Sequence, residues 1–205
     1  VMIEEGLFEK FPVDGVYGMH NFPGLDIGKI AIRPGPAMAA FDIFEVIIKG
    51  VGTHAAMPQM GVDPVVVGAQ IVGAFQTIAS RTIDPLESVV VSVTQFHAGD
   101  TWNVIPGEAV LRGTARWFRP EVRDIIEPTI KRIADGICAA HGATMTMDYQ
   151  RRYPSVINKD AECELAAVAA AEVVGAANID MDPAAVMGSE DFAFMLEKTP
   201  GAFIW

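Results

Sequence analysis

The chain has 205 residues, 51% of them hydrophobic and 20% charged, and carries a formal net charge of −11 at pH 7. A globular chain of this length can bury a sizeable core without disulfide staples, and its carboxylate excess leaves no electrostatic footprint for nucleic acid or an anionic membrane. Composition thus excludes fibrous, polybasic and disulfide-framework classes. No stretch reaches the roughly 18 uninterrupted apolar residues of a membrane span. The opening VMIEEGLFEKF lacks the basic-then-apolar order of a signal peptide, so a cytoplasmic location is expected. The chain starts on Val and ends on PGAFIW, a strand that stops at the last residue, so both ends read as cut.

In the first segment Gly and Pro separate short apolar pieces; VYGMH reads as a brief strand and IGKIAI as another. From Phe41 the pattern changes. Phe41, Ile43, Glu45, Ile47 and Lys49 alternate with Asp42, Phe44, Val46 and Ile48, which is the period of a strand with a buried face. A Gly-rich loop, GVGTHAAMPQMG, follows. Asp63-Pro64 then caps and opens an apolar helix, VVVGAQIVGAFQTIAS. SVVVSVTQFHAG and EAVLRGTARWF read as strands, the second with Arg112, Thr114 and Arg116 on one face. Pro120 opens a helix whose Val122, Ile126, Ile130, Ile133 and Ile137 recur about every 3.6 residues, with Gly142 as its stop. Pro128 should bend it. ATMTMDYQ is a fourth strand, with Met145, Met147 and Tyr149 on one face.

The order β-α-β-β-α-β is the split βαβ arrangement, four antiparallel strands backed by two helices. Beyond it come an Ala-rich helix over 161–174, a short helix capped by Ser189 with Glu190 and Asp191 in its first turn, and a final strand. The two flanks then belong to one parent domain, into which the middle is inserted. Cys138 and Cys163 lie far apart and read as buried free thiols on helices.

Each candidate functional residue carries two readings. His20, in YGMHNFPG, stands at a strand end where a histidine can ligate a metal, or it is a loop histidine bonded to backbone. His54 follows glycines that allow another group to approach closely, so it can donate to an oxyanion or carboxylate, or it caps local carbonyls. Asn103 and Arg116 suit carboxylate or oxyanion recognition if they converge, or make a turn bond and a surface ion pair. Glu190 and Asp191 are catalytic carboxylates or ordinary first-turn residues. His97 and His141 fit structural roles. There is no P-loop, no H-E-x-x-H and no G-x-S-x-G.

Taken in order, YGMHNFP, GKIAIRPGPAMAAFD, GVGTHAAMPQMGVDP, NVIPGEAVLRGTAR and GSEDFAF resemble the M20 metallopeptidase family. They are most similar to its amidohydrolase branch of hippurate hydrolase, N-acyl-amino-acid amidohydrolases and N-acetyl-diaminopimelate deacetylase. The resemblance implies an α/β fold in which an inserted βαββαβ, ferredoxin-like satellite domain serves dimerisation. It is flanked by incomplete parts of a zinc-peptidase-like α/β catalytic domain, with the chain a fragment truncated at both ends. The expected divisions are 1–38, 39–150 and 151–205.

The resemblance also implies roles. His20 is a metal ligand, His54 stabilises the tetrahedral oxyanion in a partner subunit, Asn103 and Arg116 hold the substrate carboxylate, and Gly188 lines the substrate site. Glu190 belongs to the same motif without an assigned role. An arm carrying His54, Asn103 and Arg116 is expected to reach a substrate beside His20 across a dimer seam.

The family's Cys-Gly-His-x-x-His segment, its Glu-Glu pair and its last metal-binding histidine have no counterpart in this chain. The implied cofactors are two divalent ions, Zn, Mn, Co or Ni, which the fragment by itself is not expected to hold, so it is expected to be inactive. The implied partners are an N-acyl amino acid or small peptide and a second copy of the chain, with no nucleic acid and no membrane. The alternatives are a dimerisation or binding module without catalysis, or a related carbamoylase or aminopeptidase.

Overall fold

The Gly- and Pro-rich start of the chain forms only short elements in the computed structural model, which describes residues 1–205. A single turn, α1 (Leu7–Lys10), precedes β1 (Val16–Met19), β2 (Ile30–Ala31) and β3 (Gly35–Met38). The first long element is β4 (Ala40–Lys49). Its inward residues Asp42, Phe44, Val46 and Ile48 are buried and the intervening ones are not, so the sequence alternation translates directly into two faces.

After β4 come the two-residue strand β5 (Thr53–His54) and the helix α2 (Pro64–Thr77), which ends in a π-turn over Ile78–Thr82. Asp63 caps α2 through Oδ1, which accepts from Val65 N–H at 2.8 Å and Val66 N–H at 3.3 Å. Next are β6 (Val90–Ala98), β7 (Val104–Ile105), β8 (Glu108–Trp117), α3 (Pro120–His141) and β9 (Thr144–Tyr153). The four long strands lie in the order β6-β8-β4-β9, with β6 and β8 antiparallel. The helices α2 and α3 pack on each other and on β8. Phe44 meets Phe75 edge-on at 5.7 Å within a core that includes Val46, Ile71, Leu111, Ile126 and Ile130. Pro128 sits inside α3 without ending it, and Gly142 closes it in the left-handed region at φ 73°.

The last segment holds β10 (Val156–Asn158), α4 (Asp160–Val174), β11 (Ile179–Asp180), α5 (Ala193–Leu196) and β12 (Gly201–Ile204). The chain divides into two units, Val1–Ala40 with Tyr153–Trp205, and Phe41–Arg152.

Two expectations are corrected in the first of these units. Its segments, expected as incomplete domain parts, pair with one another in one folded unit. β1 pairs in parallel with β12 from Val16↔Gly201 to Met19↔Ile204, β2 in parallel with β11, and β3 antiparallel with β10. Between them they bury two clusters, one built on Met38, Val156, Leu196, Phe203 and Trp205, the other on Ile32, Cys163, Ala202 and Ile204. Asn158 ties the segments further. It donates to the Arg33 and Phe203 carbonyls and accepts from Phe203 N–H. Nor does Ser189 cap a helix. α5 starts only at Ala193, three residues later than a Ser189 cap requires; Phe192 is its N-cap, and the Glu190 carbonyl, accepting from Ala193 N–H at 3.3 Å, closes only a preceding turn.

Both cysteines are buried and free. No helix is long and apolar enough to cross a membrane.

A candidate active-site ribbon and a carboxylate anchor

Beyond the Lys49 end of β4 the chain makes a tight two-stranded ribbon. Gly50 N–H donates to the Gly107 carbonyl, Val51 and Val62 exchange backbone bonds, and β5 pairs antiparallel with β7, Thr53 with Ile105 and His54 with Val104. The glycines make this approach feasible. A Cβ on Gly50 would lie 2.2 Å from the Val62 carbonyl oxygen, and one on Gly61 would lie 2.4 Å from that of Val51. An ion pair between Lys49 and Glu108 spans the base of the ribbon.

His54 and Asn103 are adjacent on this ribbon and both are exposed. Ala55 N–H donates to the Asn103 carbonyl at 2.9 Å, and Ala56 N–H donates to His54 Nδ1 at 3.1 Å. Thr101 Oγ1 lies 3.4 Å from Asn103 Oδ1. The neighbouring Trp102 is fully exposed, and Met57, Met60 and Val104 are also exposed.

Arg116 is elsewhere. It pairs with Val90 at the far end of β8, and its guanidinium lies 4.8 Å from the centroid of the Phe41 ring. Eight residues of extended strand separate it from Glu108, which at the usual rise is about 26 Å. Within one copy Asn103 and Arg116 are not brought together: the ribbon and the arginine occupy opposite ends of the sheet.

Sequence reasoning missed two residues beside Arg116. Phe41 supplies the ring it stacks on. Asp42, fully buried, accepts from Trp117 Nε1 at 3.2 Å, Tyr149 hydroxyl at 3.0 Å and Arg152 N–H at 3.0 Å. Burial first, then the charge and hydrogen bond of Asp42, push the Tyr149 hydroxyl well above its ordinary value. The signal was present: a carboxylate in line with Phe44, Val46 and Ile48 on an apolar face demands donors.

His20 follows β1, and its backbone N–H donates to the Ile204 carbonyl at 3.1 Å. Its Nδ1 is 2.6 Å from the Asn21 carbonyl and can only donate there, so the neutral ring keeps an Nε2 lone pair suited to a metal. It lines a groove formed by Met19–Ile30 and Trp205 that includes neither Gly188 nor Glu190. Gly188 follows the bridge between Met38 and Val186. Glu190 is engaged locally, Oε1 accepting from Asp191 N–H at 3.1 Å. No group of three His, Cys, Asp or Glu side chains is close enough to hold a metal ion. One histidine has the right form for such an ion, and the residues present do not complete a centre.

A split βαβ unit set into a second α/β unit, with an exposed histidine–asparagine ribbon, defines the class: an α/β chain with an inserted satellite domain. The model of Peptidase family M20/M25/M40 matches residues 1–205, and the chain belongs to that family. It is 40% identical to the N-acetylcysteine deacetylase of Bacillus subtilis (strain 168) over 94% of this chain and 50% of the relative. It is 34% identical to the hippurate hydrolase of Campylobacter jejuni over 98% and 53%. The crystal structure of the Bacillus subtilis YXEP protein, described as a dinuclear metal binding peptidase from the M20 family, superposes with a TM-score of 0.76 at 34% identity over 100% of this chain and 50% of that one.

The expectation of a fragment truncated at both ends is corrected to a family match that runs over residues 1–205. The likeness to that crystal structure covers both units, which likewise corrects the reading of incomplete domain parts. The chain spans about half the length of the curated relatives it matches.

Proposed function

We propose that the whole protein hydrolyses the amide bond of N-acyl amino acids or small peptides, with two divalent ions, Zn, Mn, Co or Ni, as its cofactors. Relatives that carry deacetylase and hippurate hydrolase names at 34–40% identity support the substrate class. The observation that carries the reading is the ribbon, which exposes His54 and Asn103 on its two facing segments over a glycine-built scaffold.

When bound, the ions supply an activated water and polarise the carbonyl. His20 offers Nε2 as one ligand. Arg116, stacked on Phe41, presents its guanidinium to the substrate carboxylate. Gly188 lines the substrate site. His54 donates to the oxygen on which charge develops, and Asn103 joins Arg116 in holding the substrate carboxylate. Because Arg116 lies about 26 Å along β8 from the ribbon, one substrate is served by Arg116 of one copy and His54 and Asn103 of another. The protein is then a homodimer built through Phe41–Arg152.

The test is hydrolysis of N-acetyl and N-benzoyl amino acids by the whole protein after dialysis against chelator. Activity should vanish and return with Zn²⁺, Mn²⁺, Co²⁺ or Ni²⁺. Full turnover in metal-free buffer refutes the reading. A dimer that hydrolyses none of these amides at any metal loading would make Phe41–Arg152 a binding module instead.

A further inference from the structure

After β5 the chain turns back on His54 at two points: Met57 N–H donates to its carbonyl at 2.8 Å and Ala56 N–H to its ring Nδ1 at 3.1 Å. A backbone N–H can only donate, so Nδ1 can only accept, and the proton of the neutral ring must be on Nε2. The ring contacts of the other histidines differ. His20 Nδ1 faces the Asn21 carbonyl, while His97 and His141 face glutamine side-chain oxygens.

We infer that the Ala56 N–H is a positioning group that holds His54 as its Nε2–H tautomer, so that the exposed edge of the ring is a hydrogen-bond donor and not a general base. The inference rests on the proposed role of His54 at the oxyanion. A donor for developing charge is effective when its proton is in place before reaction, because no reorganisation is then needed. A ring free to exchange tautomers would present a lone pair to the oxyanion part of the time. The main chain prevents that here without a second side chain.

The experiment is ¹⁵N NMR of histidine-labelled 205-residue chain at about pH 8.5, above the ordinary imidazole range. The His54 signals, assigned by loss in His54→Ala, should show a protonated Nε2 and an acceptor Nδ1. A dominant Nδ1–H form overturns the inference without any further variant. Ala56→Pro deletes the N–H, and Ala56→Gly keeps it. The proline variant should show mixed tautomers and the glycine variant the wild-type form. A proline variant that retains the wild-type tautomer removes the Ala56 N–H from its role.

In the whole protein, Ala56→Pro should lower kcat about tenfold, less than outright loss of an oxyanion donor, with KM little changed. An unchanged kcat overturns the positioning role. Turnover that survives His54→Ala defeats the oxyanion reading instead, while an Nδ1–H tautomer in an enzyme killed by His54→Ala defeats only the inference drawn here.

Discussion

Replacing Asp42 by Asn is the sharpest test of how the Arg116 end of the sheet is held. The carboxylate is fully buried and takes three neutral donors, Trp117 Nε1–H and Tyr149 O–H on Oδ2 and Arg152 N–H on Oδ1. An amide of the same shape has one acceptor oxygen and one NH₂. With the oxygen toward Arg152, the NH₂ meets the indole N–H. The Tyr149 hydroxyl can rotate to accept, but the indole cannot. With the amide reversed, the NH₂ meets the Arg152 N–H instead.

Either way one buried donor loses its acceptor, at about 1–3 kcal/mol, and the surviving bonds lose their charge assistance. Easier burial of the neutral amide offsets part of this, leaving a destabilisation of about 2–4 kcal/mol. Urea unfolding followed by far-UV circular dichroism measures it. Trp117→Phe and the double variant complete a cycle, in which a coupling of about 1 kcal/mol or more identifies the indole as the donor left unpaired. An Asp42→Asn chain as stable as the wild type refutes the claim that this carboxylate is held by its three donors.

Other expectations follow from the same region and from the buried thiols. Phe41→Leu removes the ring under Arg116, worth about 0.5–1 kcal/mol, so KM for an N-acetyl amino acid should rise about two- to fivefold in the whole protein. KM for the corresponding amide, which lacks the carboxylate, should stay put, and a shift of both would show that Phe41 acts only structurally. The folded chain holds the Tyr149 proton more tightly than the unfolded one. That stabilisation is full below the ordinary phenol value of about 10 and is lost as pH rises toward the higher folded value, so stability should fall above pH ~10 in wild type and fall less in Tyr149→Phe. Burial, then Asp160 and Glu162, raises the Cys163 thiol to about 11, and burial with Asp135 raises Cys138. Neither should react with iodoacetamide at pH 8 until urea unfolds the chain, and rapid labelling of the native protein would contradict their burial.

Much of the inserted unit was legible because its signals are local. Alternation in β4, the Asp63-Pro64 start of α2 and the Gly142 stop of α3 each follow from a few neighbouring residues. Long-range features were less accessible. β1 and β2 pair with strands near the other end of the chain, so nothing near Val16 or Ile30 shows what covers them. The start of α5 was missed because a serine before two acids looks like a cap, whereas the helix begins only after Phe192, its N-cap. For the site, motif order pointed to His54, Asn103 and Arg116 but carried no distance between them. The ten-residue length of β8 sets that distance.

That length makes the division of labour testable by mixing. If Arg116 and His54 of one copy served the same substrate, two dead variants would stay dead together. If they serve substrates in different subunits of a two-fold dimer, a His54→Ala/Arg116→Ala heterodimer has one site with both groups lost and one with both intact. Random exchange makes about half of all dimers heterodimers, and each keeps one of its two sites, so an equal mixture should recover about a quarter of wild-type activity. The subunits must first be exchanged by mild denaturation and refolding, with wild type taken through the same cycle. A mixture no more active than its two components would place both residues on one substrate from one copy. The roughly 26 Å of strand between them would then have to be closed by a different fold of the ribbon.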